Sequence, residues 1–261
     1  MTTAFLFALI GLGFFVGIIG ALLGIGGALI LIPVLTLFFE VPLEKAIGVG
    51  LVSIIATSSA AASVYVQEKL TDIRLGMLLE LGTTMGAVFG ALVVGYFSRK
   101  ALALMLALFL LYSATSMVRK IRSADDGPAA PAGEYSIRHI PAGLAGSAFA
   151  GAISGLLGIG GGPIKVPLMY LVMGVPLRVA TATSNFMIGV TGATSALIYF
   201  VRGRVDVAVT APVVLGVFSG SLLGSKIAPA IRSRYILTVF SLLLLYLAVE
   251  MFRVGFGLHS P

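Results

Sequence analysis

The tetrapeptide Gly24-Ile25-Gly26-Gly27 recurs as Gly158-Ile159-Gly160-Gly161, 134 positions later, and both copies lie inside strongly apolar sequence. A glycine cluster does not continue a helix comfortably. A helix broken inside hydrocarbon strands backbone N–H and C=O groups, at several kcal/mol for each group left unpaired. Such a break is tolerated where protein or a water-filled cavity satisfies the freed groups. Paired breaks in two related halves are the strongest sequence pointer to a transporter's binding site.

The surrounding composition fixes the solvent. Apolar residues make up 59% of the 261-residue chain, charged residues only 10%, and the mean hydropathy is +1.11. Soluble domains carry roughly 25% charged residues. Apolar windows of about twenty residues are long enough to span a bilayer. The net charge of +7 is scattered through short loops rather than gathered on one face, which argues against a nucleic-acid partner. The chain has no cysteine, which excludes disulfides and thiolate chemistry. Its N-terminal stretch, Met1 to Leu23, has no basic flank and no polar cleavage region, so it is read as a retained span.

The repeat extends well beyond the glycines. At the same offset of 134, Pro33 meets Pro167, Pro42-Leu43 meets Pro176-Leu177, and Thr57 meets Thr191. Tyr65 meets Tyr199, Asp72 meets Asp206, and Met117 meets Met251. No gap is needed. The expected organisation is a first membrane repeat at 1–120, a mobile Pro/Gly-rich linker at 121–137 and a second repeat at 138–261. Each half divides into a long apolar segment (3–23 or 141–157), the glycine motif, a short segment (28–39 or 163–173) and three full spans. The full spans are 46–66, 75–97 and 100–118, with counterparts at 179–201, 205–230 and 235–252. A short segment covers only about 18 Å as a helix, against about 30 Å of hydrocarbon. The fold class is therefore all-α: a polytopic integral membrane protein of two homologous halves, each a glycine-broken hairpin plus three full spans.

Five crossings per half would invert the halves, and four would leave them parallel. An inverted scheme gathers Lys69, Arg74, Arg119, Lys120, Arg122, Arg138, Arg178, Arg232 and Arg234 on one side. Lys45, Arg99, Lys100, Arg202, Arg204 and Arg253 then lie opposite. The parallel scheme divides the charges just as unevenly, so the positive-inside rule does not choose between them. Inversion is preferred because it brings two helix breaks to one site, with the linker cytoplasmic and both termini periplasmic. A second repeated device, Gly82, Gly86 and Gly90 matched by Gly216, Gly220 and Gly224, predicts smooth faces for close helix packing.

Several residues could bind an anion. Successive N–H groups of the loops Gly24, Gly26, Gly27 and Gly158, Gly160, Gly161, Gly162 can converge on one concavity, and the following short helices add their N-terminal dipoles. Close packing alone is the other reading of those glycines. Lys165 lies between apolar stretches where the first repeat has Leu31, so an intramembrane cation is not demanded by the repeat. It either serves the site or snorkels to an interface. Polar clusters at Ser53, Thr57, Ser58, Ser59, Ser63 and at Thr181, Thr183, Ser184, Asn185, Thr191, Thr194, Ser195 offer uncharged donors or helix-to-helix hydrogen bonds. Ser53, Thr57, Asn185 and Thr191 are the chosen substrate-binding candidates among them. Glu80 is the most membrane-embedded carboxylate and the candidate for proton coupling, with Val214 as its repeat partner. Catalysis is not expected. His139 and His259 fall outside the spans, so neither a metal cluster nor a nucleophile–His pair can be assembled. A phosphate-binding G-x-x-x-x-G-K-[ST] loop is absent. No metal and no cofactor are expected.

The doubled Gly-Ile-Gly-Gly-x5-Pro, Val175-Pro176-Leu177 and the run Thr183-Ser184-Asn185-Phe186-Met187-Ile188-Gly189-Val190-Thr191 resemble the TauE/SafE family of sulfite and organosulfonate exporters over nearly the whole chain. The resemblance implies a secondary carrier of the bacterial inner membrane that moves small sulfur-containing anions, such as sulfite or sulfoacetate, outward. The first motif copy departs from the second, with Ala28 for Gly162 and Leu31 for Lys165, so the two loops would contribute unequally. The expected partners are a small sulfur oxyanion or sulfonate and membrane lipid, with a homo-oligomer left open. The alternatives to a carrier are an anion channel and a non-transporting membrane scaffold.

Overall fold

The computed structural model describes residues 3–123, 135–228 and 233–258. Most of the expected linker, His259 and Arg232 lie outside the described residues. Among the described residues, all regular structure is helical. The first five helices are α1 (Thr3–Leu23), α2 (Ala28–Phe38), α3 (Leu43–Gln67), α4 (Ile73–Val93, continued by a 3-10 turn Val94–Tyr96) and α5 (Arg99–Ser123). The next five are α6 (Ile140–Leu157), α7 (Gly162–Pro167, continued by a π-helical turn Leu168–Val172), α8 (Leu177–Val201), α9 (Val207–Ile227) and α10 (Ser233–Gly255). Helices α8 and α9 reproduce both ends of α3 and α4 at the offset of 134.

Matched residues set those boundaries. Pro42 and Pro176 precede α3 and α8 with φ of -52° and -54°, an extended entry that proline fixes. These helices therefore begin slightly earlier than hydropathy suggests. Asp72 and Asp206 cap α4 and α9, accepting from the N–H groups of Leu75 and Ala208. The Asp206 cap starts α9 two residues inside the apolar run. The turns that end α3 and α8 use a left-handed residue, Lys69 in one and Gly203 in the other. Asp72 also accepts the Tyr135 hydroxyl at 2.7 Å, which ties the chain before α6 to the head of α4. Burial first, and then that carboxylate, push the Tyr135 phenol above its ordinary range.

Among the described residues, seven helices are long and apolar enough to cross a membrane: α1, α3, α4, α5, α6, α8 and α9. Their outward faces carry large apolar side chains such as Met85, Phe89, Leu197 and Phe200, which water would not tolerate in such number. The molecule is a multi-pass membrane protein. By contrast α2 has 11 residues, about 16 Å of helix, and does not cross.

The halves interlock. Helix α1 packs chiefly on α9, and α4 on α6. Gly216, Gly220 and Gly224 face the carbonyls of Ile10, Phe14 and Ile18 in the same chain direction. Gly82, Gly86 and Gly90 face those of Leu144, Ala148 and Ala152 likewise. A Cβ at Gly86 or Gly220 would overlap the opposing carbonyl oxygen, so these stripes hold backbones in contact. Helices α3 and α8 meet at the centre, and α5 pairs with α10. Gly189 lies against Ser58 and Gly192 against Leu51, so α3 and α8 run in opposite directions.

Candidate functional site

Both tetrapeptides leave the right-handed helix in the same way. Gly24, Gly26 and Gly27 have φ of 73°, 79° and 75°, and Gly158, Gly160 and Gly161 have 73°, 76° and 70°. Only glycine enters this left-handed region without the cost of a Cβ against the backbone. The N–H groups of Gly24 and Gly158 still bond back to Gly20 and Ser154. The carbonyls of Gly27 and Gly161 then open α2 and α7 by accepting from Leu31 and Lys165. By helix geometry the first N–H groups of α2 and α7 have no intrahelical acceptor.

The two loops meet inside the protein. Gly26 and Gly160 each pack against both Ile54 of α3 and Ile188 of α8, a pair that is itself matched by the repeat. Gly162 approaches Gly24 so closely that a Cβ there would stand 2.5 Å from the Gly24 carbonyl oxygen. Alanine therefore fits at position 28 of the first copy, where it is fully buried, but not at 162.

Protein groups satisfy the carbonyls freed by the breaks. Ala21 accepts from the Tyr65 hydroxyl at 3.1 Å and from Asn185 Nδ2 at 3.0 Å. Gly24 accepts from Ser184 at 2.9 Å and Gly26 from Thr57 at 3.2 Å. Leu156 accepts from Tyr199 at 3.1 Å, the counterpart of Tyr65. This is how an interrupted helix becomes affordable in lipid.

Beside the second loop lies a charged triangle. Lys165 Nζ stands 3.4 Å from Glu80 Oε2 and donates to Thr191 Oγ1 at 2.9 Å. Thr191 in turn donates to Glu80 Oε1 at 2.6 Å, and Thr84 adds a fourth contact at 3.3 Å. The Lys165 side chain is 0% exposed and that of Glu80 9%. Among the described residues these are the only buried charged side chains. Lysine comes from the first turn of α7, threonine from mid-α8 and glutamate from the second turn of α4. The repeat-matched residues are Leu31 and Thr57 of the first repeat and Val214 of the second, so the equivalent positions carry no charge.

Gly24, Gly26, Gly27, Gly158, Gly160, Gly161, Gly162, Lys165, Thr191 and Glu80 thus form one buried cluster. Ser53, Thr57 and Asn185 are buried beside it, but the hydroxyl hydrogens of Ser53 and Thr57 and one amide hydrogen of Asn185 are already engaged. Ser53 bonds to the Val49 carbonyl of its own helix at 2.8 Å, and Thr57 lies between the carbonyls of Ser53 and Gly26. Asn185 spends a donor on Ala21, and its Oδ1 has no partner. Sequence reasoning missed the carbonyl-capping role of Tyr65, Tyr199 and Ser184, although the matched tyrosines near span ends were a signal. It also missed Thr84, which carries no signal beyond its spacing from Glu80. Among the described residues, no three His, Cys, Asp or Glu side chains gather to hold a metal ion. Such a site can hold an anion by full charge, hydroxyls and backbone amides, all without water.

Known proteins agree with a membrane assignment. A family model described as Sulfite exporter TauE/SafE matches residues 9–251. The "Probable membrane transporter protein YunE" of Bacillus subtilis is 28% identical, covering 95% of this chain and 97% of that one. The "Probable membrane transporter protein YdhB" of the same organism is 27% identical over 82% of this chain and 86% of its own length. A "Probable membrane transporter protein" of Xylella fastidiosa is 27% identical, covering 95% of both. No solved structure matches the chain significantly.

Proposed function

The chain belongs to the sulfite exporter TauE/SafE family, and from that premise we propose that it is a secondary carrier exporting small sulfur-containing anions across the bacterial inner membrane. Sulfite, sulfoacetate and related organosulfonates are the substrate class. One observation carries the reading: two glycine-broken helices abut in the protein interior beside a fully buried lysine. A negative solute gains there from the ammonium, from Thr191 and from amides at the heads of α2 and α7. Ser53, Thr57 and Asn185 would join it on exchanging their present carbonyl partners.

Access to the two faces alternates by movement about the meeting point of the repeats 1–120 and 138–261, joined by the linker 121–137, with α1 carried by α9 and α6 by α4 because their backbones touch. We take these units as inverted repeats. The opposite directions of α3 and α8 support that assignment, since equivalent helices of inverted repeats run against each other.

Reconstituted protein tests the reading. Liposomes preloaded with sulfite should take up labelled sulfite by saturable, exchange-stimulated flux, with sulfoacetate competing and acetate not. Lys165→Ala should weaken binding strongly, and Lys165→Arg less, because arginine keeps the charge. Unsaturable conductance would make the protein a channel, and absence of flux for every sulfur oxyanion would leave a scaffold.

A further inference from the structure

We propose that the Glu80 carboxylate is a tethered competitor for the anion seat, which an incoming oxyanion displaces as Glu80 takes up one proton. The inference rests on the anion-carrier reading above. Its starting point is chemical likeness. Two oxygens sharing one negative charge, contacted by Lys165 at 3.4 Å and Thr191 at 2.6 Å, describe a bound oxyanion as well as they describe Glu80. The protein's own side chain fills the seat with the same kind of group the substrate would bring.

The triangle also closes on itself. Lys165 donates to Thr191, Thr191 donates to Glu80, and Glu80 neutralises Lys165. The ammonium is fully buried against Glu80 and Thr191, so a second anion contends with the carboxylate for its charge. Nor does packing require the carboxylate, because the matching positions of the opposite repeats hold Leu31 and Val214. Burying such a pair in place of apolar residues is neutral or costly for stability. A function is the remaining reason to keep it.

Displacement leaves a carboxylate in an apolar wall with only threonine hydroxyls beside it. Among the described residues, no other cation faces it. Helix α6, packed along α4, has no titratable residue. Helix α8 contributes Thr191, with Arg178 at its opposite end and the Tyr199 hydroxyl bound to Leu156. On α4 itself the nearest cation is Arg74, near the head of the helix. An unpaired buried charge is relieved by neutralisation. Here a hydronium ion from water gives its proton to the carboxylate, forming Glu80–COOH and water, while the oxyanion pairs with Lys165. The balance is one proton taken up for each anion bound, with no covalent bond to the solute.

Calorimetric titration of sulfoacetate into the purified full-length protein, in buffers of different ionisation enthalpy, counts those protons. Sulfoacetate is fully ionised near neutral pH, so any proton taken up belongs to the protein. Sulfite, titrated well above its second ionisation, serves as the second probe. Wild type should take up about one proton per anion, the share a single displaced carboxylate supplies. Glu80→Gln should bind roughly tenfold tighter, because the internal rival is gone, and should lack the protonated-carboxyl infrared band that sulfoacetate raises in wild type, whatever proton its unpaired Lys165 takes up. Glu80→Val, the residue at the matching position of the second repeat, should also lack that band and provides a second check should the amide fold poorly. Anion binding to wild type with no proton uptake would overturn the proposal whatever the variants do. A sulfoacetate-induced protonated-carboxyl band of equal size in wild type and Glu80→Gln would overturn it too. If neither probe binds wild type, the anion-carrier reading itself fails, and this inference falls with it.

Discussion

Exchanging Lys165 and Glu80 each for the residue at its matching position in the other repeat asks whether the pair serves stability or transport. The substitutions are Lys165→Leu and Glu80→Val, singly and together. Alone, Lys165→Leu strands a carboxylate 9% exposed with two threonine hydroxyls as its remaining partners. Alone, Glu80→Val strands an ammonium 0% exposed. Removing one member of a buried pair costs about 3–5 kcal/mol. Removing both in favour of apolar side chains of suitable volume is neutral or stabilising by about 1–4 kcal/mol. The cycle should therefore be strongly non-additive, with the double variant at or above wild type. At about 2–4 °C per kcal/mol for a chain of this size, each single variant should melt roughly 6–20 °C lower. The chain has neither tryptophan nor cysteine, so far-ultraviolet circular dichroism in detergent is the suitable probe of unfolding. The double variant should fold and no longer transport. A double variant destabilised by the sum of the two singles would refute the reasoning, because the pair would then be part of the scaffold.

Two other substitutions test the fold. Gly220→Ala places a methyl against the Phe14 carbonyl oxygen and should separate α1 from α9, lowering stability by about 1–3 kcal/mol in the same melting assay. Lys69→Gly, which gives the first repeat the residue of Gly203, removes a left-handed side chain at φ 56° and should raise stability by about 1 kcal/mol.

Much of the fold is legible in the sequence because the repeat is written in residues with fixed backbone meaning. Pro42 and Pro176, Asp72 and Asp206, and the paired glycine loops each dictate a local conformation. Their constant offset carries that conformation from one half to the other. The stripes of Gly82 and Gly216 were legible for the same reason, since a missing side chain has one plain use between helices in lipid. The partnership of Lys165 with Glu80 was not legible. The two lie 85 positions apart, and each stood out only by differing from its own repeat partner. Hydropathy was silent on which carbonyls the breaks would free, so Ser53, Thr57 and Asn185 read as open donors, when the two hydroxyls are engaged and Asn185 spends one amide hydrogen on Ala21. The π-helical turn after Pro167 was equally hidden, because Pro33 at the matching position sits inside a regular helix.

The most direct test locates the solute. Crystals of the protein soaked with selenite, a heavier analogue of sulfite, can be measured at the selenium edge. The account predicts one anomalous peak between Gly24–Gly27 and Gly158–Gly161, within hydrogen-bond reach of Lys165 Nζ, with Glu80 turned away. A peak at the membrane surface, or in the interior remote from both glycine loops and from Lys165, would contradict it.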